Sequence, residues 1–142
     1  MKPEFIIIHH SLTKDSGTVS WGAIREYHTR TLGWRDIGYQ FGIELIGNRY
    51  ETLVGRLWNQ EGAHTVGMNA RSIGICVVGN FDVDPVTGGL TQVLGPLLEA
   101  IRDAFNIPWA NVKGHCEYAP KTCPGKNLFE WVKQIRNGEG AK

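Results

Sequence analysis

Phe5-Ile6-Ile7-Ile8-His9-His10-Ser11 is the stretch on which the fold turns. Four consecutive aromatic and β-branched residues, with no polar side chain among them to face solvent, form the pattern of a strand buried on both faces, and such strands lie at the centre of α/β sheets. The run then stops abruptly at two imidazoles and a hydroxyl. The C-terminal end of a buried strand is where α/β proteins commonly place chemistry, because the strand is rigid and its end opens on a loop crevice. For an isolated His-His pair the plainer alternative is that one ring packs and the other is solvated.

Outward from that strand, Ser20 is a plausible cap for a helix over 21–28, with Gly33 as its stop and His28 on its polar or boundary face. In Tyr39-Gln40-Phe41-Gly42-Ile43-Glu44-Leu45-Ile46 the odd positions are apolar or aromatic, which predicts a strand. Gly47-Asn48 turns it into a second strand over 49–54, so the sheet is partly antiparallel. Residues 55–71 have no sustained period and read as a long loop, a feature that is usually functional in a compact domain. Ser72-Ile73-Gly74-Ile75-Cys76-Val77-Val78-Gly79 is another buried strand, with Cys76 a small apolar residue inside it, and 82–89 is turn chemistry. Leu94, Leu97, Leu98, Ile101, Ala104 and Phe105 predict an amphipathic helix, with Gly95-Pro96 near its start. A short strand over 112–115 and a last helix carrying Leu128, Trp131, Val132 and Ile135 complete the series, ended by Asn137-Gly138. With neither repeat nor linker, the expectation is one α/β domain over 1–142: a central mixed β-sheet flanked by helices, with a core at about 5–136 and a polar tail at 137–142.

Composition narrows the functional classes. A chain of 142 residues buries about 68–70% of its unfolded surface and needs no staple. A net charge of +1 gives no broad field for phosphate backbones, so no nucleic-acid partner is expected. Only four apolar residues follow Met1-Lys2-Pro3-Glu4, too few for a signal-peptide core, and no run is long enough to span a bilayer. The expectation is therefore cytoplasmic synthesis without a signal peptide, no membrane partner, and a monomer. Cys76, Cys116 and Cys123 are odd in number and irregularly spaced, which fits reduced thiols better than a disulfide framework. The 18 glycines predict many tight turns and long ordered loops.

Gly114-His115-Cys116-Glu117-Tyr118-Ala119-Pro120-Lys121-Thr122-Cys123-Pro124 gives one of those thiols a use. His115 and Cys123 are soft-metal ligands on a loop stiffened by proline, and imidazole with thiolate favours zinc over magnesium or calcium. A catalytic zinc takes three protein ligands and keeps a fourth position open. His9 or His10, at the end of the first strand, is the best available third ligand.

Taken together and in order, Ile8-His9-His10-Ser11-Leu12-Thr13, Gly38-Tyr39-Gln40-Phe41, His64 with Asn69 and Ser72-Ile73-Gly74-Ile75, and Gly114-His115 through Ala119-Pro120-Lys121-Thr122-Cys123-Pro124 resemble the type 2 zinc N-acetylmuramoyl-L-alanine amidases. That family includes phage lysozyme-like amidases and peptidoglycan recognition proteins, and the resemblance runs from about Phe5 to Trp131. It implies one zinc per chain held by His9, His115 and Cys123, with Tyr39 and Lys121 catalytic and His10 demoted to packing or to support behind the ligands. The implied reaction is hydrolysis of the amide joining N-acetylmuramic acid to L-alanine in peptidoglycan. Zinc would acidify a water, Tyr39 would position it and pass its proton towards the amine, and Lys121 would stabilise charge on the carbonyl oxygen. The cytoplasmic recycling branch differs, with an aspartate as third ligand and a glutamate where this chain has Cys76, so no carboxylate base acts from position 76. His64 and Asn69 are expected to face the groove and contact the muramyl-peptide, against the alternative of hydrogen bonds that stabilise their loop. Glu117 is a weaker candidate base, and Trp34 and Trp58 are candidates for the groove wall. The setting implied is a phage or prophage endolysin acting on the cell wall after release. Two rivals remain: a peptidoglycan-binding module without catalysis, and a thiol hydrolase using Cys116 or Cys123 beside His115.

Overall fold

A computed structural model describes residues 1–13 and 20–138 of the chain. The expected polar tail beyond residue 138 lies outside the described residues. The run that opens the chain is strand β1 (Phe5–His10), and Ile6, Ile7 and Ile8 in it have no exposed surface. It lies between two parallel neighbours, β4 (Ser72–Val77) and β5 (Val112–Gly114), while β2 (Phe41–Ile46) pairs parallel with β4 and antiparallel with β3 (Arg49–Val54). The order β3-β2-β4-β1-β5 makes the mixed sheet that the hairpin and the buried runs predict.

Because side chains alternate across a strand, the register sorts residues by parity. Ile6, Ile8, Ile43, Ile73, Ile75 and Val77 face one side, where they pack against Leu90, Leu94, Leu98 and Ile101 of α2 (Gly88–Phe105) and Leu128, Val132 and Ile135 of α3 (Lys126–Arg136). His9, paired with Cys76, lies on the other side, where a smaller cluster of Trp21, Ile37 and Cys76 sits beneath α1 (Trp21–Glu26). Among the described residues no helix is long and apolar enough to cross a membrane.

Several elements depart from their sequence reading for identifiable reasons. Helix α2 begins at Gly88, with Thr87 accepting from the Leu90 N–H at 3.3 Å, so Pro96 lies inside it. Pro96 and Gln92 are both exposed, and the carbonyl that the proline leaves unbonded meets solvent. Ser20 caps α1 by accepting from the Ala23 N–H, but after Glu26 the chain widens into a π turn (Tyr27–Thr31). That turn buries His28, whose Nδ1 accepts from the Gly38 N–H at 3.0 Å, rather than leaving it on a polar face. The alternation expected from Tyr39 to Leu45 breaks at Gln40, which is wholly buried and exchanges two hydrogen bonds with the Gly74 backbone. Phe41 therefore packs with the large core and Tyr39 with the Trp21 cluster. Glu44, expected on a polar face, is buried and accepts the Trp21 N–H at 2.7 Å.

Two glycines test this packing in opposite senses. A Cβ at Gly42 would run into the Trp21 ring, whereas at Gly95 in α2 it would meet open space. Gly42→Ala is expected to cost about 1–3 kcal/mol through overpacking, and Gly95→Ala to add about 0.5–1 kcal/mol by removing a helical glycine. Urea unfolding of the two variants against the native chain measures both.

Candidate metal centre

Two neighbouring strands and one loop build the centre. The parallel pairing of β1 with β5 sets Ile8 opposite Gly114, so the next residues, His9 and His115, emerge side by side with ring centroids 4.6 Å apart. His115 opens a 3-10 turn (His115–Glu117), and the Cys116 N–H donates to the Cys123 carbonyl at 2.6 Å, folding the loop back onto the strand ends. Cys123 Sγ then lies 3.7 Å from His9 Nδ1 and accepts the His10 backbone N–H at 3.4 Å. One ligand atom each from His9, His115 and Cys123 fall within 4.8 Å of one another. Zn–N and Zn–S lengths near 2.0–2.1 and 2.3 Å, joined at a tetrahedral angle, would separate nitrogen from sulfur by about 3.6 Å. The donor set and its spacing fit a zinc ion.

Of the two histidines that end β1, His9 supplies the donor. By parity His10 turns to the opposite face, where it is buried and its Nδ1 accepts the Phe81 N–H at 3.1 Å. On the loop's outer side, the Asp82 carboxylate accepts from the Lys126 N–H at 3.0 Å and the Thr122 hydroxyl at 2.8 Å, pinning the residues that flank Cys123. Those hydrogen bonds, with the Lys126 N–H first, hold the Asp82 carboxyl below its usual pKa.

Burial governs the electrostatics. It is the largest cause lowering the pKa of His9, followed by the neighbouring His64 and His115. Burial and then Lys121 lower that of His115. Both rings are thus neutral near pH 7, with lone pairs free for a cation. The Cys123 thiol is pushed up to about 12, again chiefly by burial, although the His10 N–H works in the opposite direction. Burial, reinforced by the Cys76 and Cys123 thiols, raises the Tyr39 phenol well above its ordinary value, so Tyr39 stays a hydrogen-bond donor. The groove over these groups is lined by His9, Leu12, Tyr39, His115, Lys121 and Cys123, with Lys121 exposed on its rim. Tyr39 and His10 also wall an adjoining, more apolar cleft against Ala23, Ile24 and Tyr27 of the first helical segment.

The remaining candidates lie elsewhere than in the groove. His64 turns inward beneath His9, with its Nδ1 2.9 Å from His9 Nε2. Asn69 Oδ1 accepts the N–H groups of His64 and Thr65 at 2.9 and 2.8 Å, stabilising their loop from within. Glu117 points away to Arg136 at 2.8 Å and accepts the Gly114 N–H at 2.9 Å. Trp34 packs at a tilt against His28, which in turn meets Tyr39, and Trp58 packs against Phe105. Three contributors were not singled out from sequence as parts of the site. Thr65 carries no pattern, and Asp82 reads from sequence as turn chemistry, its bonds to Thr122 and Lys126 being set only by the folded loop. Cys76 is hydrogen-bonded to Tyr39 as well as being a core residue.

Residues 1–126 match the family described as N-acetylmuramoyl-L-alanine amidase. Peptidoglycan-recognition protein SC2 of Drosophila melanogaster is 34% identical over 139 residues, covering 94% of this chain and 74% of its own. The endolysin of Enterobacteria phage K11 is 34% identical over 131 residues, covering 89% and 83%. Among solved structures, the N-acetylmuramoyl-L-alanine amidase LysC from Clostridium intestinale URNW superposes with a TM-score of 0.82 at 33% identity, over 96% of this chain and 86% of that one. With a family match over most of its length and relatives above 30% identity on both sides of the bacterial and animal divide, this chain belongs to the N-acetylmuramoyl-L-alanine amidase family.

Proposed function

We propose that this protein is a zinc-dependent amidase that cleaves the bond between N-acetylmuramic acid and L-alanine in peptidoglycan, acting as a monomer. The convergence of His9, His115 and Cys123 at the open end of β1 and β5 carries the reading. When bound there, zinc supplies Lewis acidity and a water acidic enough to ionise near neutral pH. The chain's own residues do the rest. The protonated Tyr39 phenol, beside the donors, orients the attacking water and conducts its proton towards the departing L-alanine amine, while the oxygen bonds to the lactyl carbonyl carbon. The Lys121 ammonium on the rim faces the carbonyl oxygen as negative charge develops there. Glu117 is occupied by Arg136 and Gly114 and has no part in the proton path. The likeness to a phage endolysin supports release onto the wall of a host cell as the setting.

The filled ligand set favours hydrolysis over the binding-only alternative, which the likeness to recognition proteins keeps in play. Purified sacculi treated with the protein are expected to gain L-alanine amino termini, to stop doing so with a chelator, and to resume on addition of zinc. A preparation that binds sacculi but releases no new termini would establish the binding module instead. His9→Ala is expected to abolish bound zinc, read by metal analysis. Tyr39→Phe is expected to keep the zinc and lower kcat by about 10²-fold or more.

A thiol nucleophile is disfavoured by the same burial that shapes the centre, since Cys123 is pushed up to about 12 and Cys116 is raised by burial and by Glu117. At pH 8 Cys123 in the metal-free protein should be alkylated by iodoacetamide at least about 100-fold more slowly than free cysteine, and Cys116 also more slowly, because thiolate is the reacting form. Peptide mass spectrometry over time reads that rate, and fast modification of either residue would reinstate the thiol mechanism.

A further inference from the structure

His64 is half-buried, conducts no step of the reaction proposed above, and touches a metal ligand. Its ring is held tightly. A Cβ at either Gly62 or Gly74 would come within 2.6 Å of its Cδ2, so two glycines leave the space it occupies. The direction of each hydrogen bond around it follows from one hydroxyl. Ser72 Oγ has a single proton and a carbonyl can only accept, so that proton goes to the Met68 carbonyl at 2.7 Å. Towards His64 Nε2, at 3.5 Å, Ser72 Oγ is therefore an acceptor, and the Ser72 backbone bonds to His64 as well. His64 Nε2 thus carries the ring's one hydrogen and Nδ1 is bare.

We infer that His64 is a positioning residue that fixes the tautomer of His9: His9 Nε2–H donates to His64 Nδ1 across 2.9 Å, leaving the His9 Nδ1 lone pair aimed at the space it shares with Cys123 Sγ. The Thr65 hydroxyl lies 3.3 Å from His9 Nε2 and 2.9 Å from His64 Nδ1 and, able to accept as well as donate, is compatible with that direction. The chain of hydrogen bonds runs from Met68 through Ser72 and His64 to His9, along one face of β4 and β1. The partner that orients a metal-bound histidine is most often a carboxylate, a carbonyl or water. Here a neutral imidazole does it, orienting the ligand without adding negative charge to the centre. The consequence for zinc rests on the metal-centre reading of His9, whereas the tautomer itself does not.

Long-range proton–nitrogen NMR correlation of the imidazole rings in the metal-free protein reads the tautomers directly. Both His9 and His64 are expected to carry hydrogen on Nε2, and a His9 ring protonated on Nδ1 would overturn the inference. His64→Leu removes the acceptor and should weaken zinc binding by about 10–100-fold, with a mixture of His9 tautomers. His64→Asn, which offers Oδ1 where the ring offered Nδ1, should recover most of the affinity. Equal zinc affinity in the native chain and His64→Leu would sink the positioning role. If His64→Leu does not fold, the native chain's tautomers decide. A native protein that binds no zinc yet has His9 protonated on Nε2 would remove the metal-centre reading and leave the relay standing.

Discussion

The parallel register of β1 between β4 and β5 is the constraint from which the rest follows. Even positions of β1 are committed to the large core by Ile6 and Ile8, so the odd positions must open on the other face. His9 is there because Ile8 is in the core. A slip of one residue would turn His9 to the face that His10 now occupies and take its ring away from His115 and Cys123. The apolar burial that stabilises the sheet is thus also what fixes the position of the donor.

The electrostatic character of the centre comes from the same source. A ring of imidazoles and a thiol, removed from water, resists charge, which leaves two neutral nitrogen donors and a protonated sulfur facing one another. Lys121 brings positive charge to the rim, and the Asp82 carboxylate packed against the loop is engaged with Thr122 and Lys126. Such a site has a strong appetite for a divalent cation, because ionising the thiol there without one is costly.

Much of this was legible in the chain, and the illegible part has physical causes. Runs at 5–8 and 72–77 with little polar character and several β-branched residues announce strands buried on both faces, and pairing them places His9 beside Cys76. His115 and Cys123 were readable as ligands because few other residue types bind a soft cation. Tyr39 was readable only through the family resemblance, since period-2 alternation assigns it to the face of Phe41, and the break depends on the Gln40 amide reaching the Gly74 backbone. His64 and Asn69 were expected in the groove through the family resemblance, with loop-stabilising hydrogen bonds as the alternative. Whether a polar loop residue turns outward or inward is decided by the space beneath it, here supplied by Gly62 and Gly74, and no local pattern encodes that. The start of α2 was missed because proline is a poor guide where the carbonyl it leaves unbonded can reach water.

The donors also stand far apart in the sequence, Cys123 coming 114 positions after His9. The strand that brings them together, β5, is only three residues long, and it is pinned from outside: Arg136 of α3 donates to the Val112 carbonyl at 3.2 Å, and Phe129 closes over Gly114. A ribosome has therefore to deliver the chain at least as far as Cys123 before the first strand acquires its distant partners. A nascent chain that stops short of Cys123 has an incomplete donor set. For a protein whose activity would be directed at a cell wall, that order of assembly keeps such an unfinished copy inert.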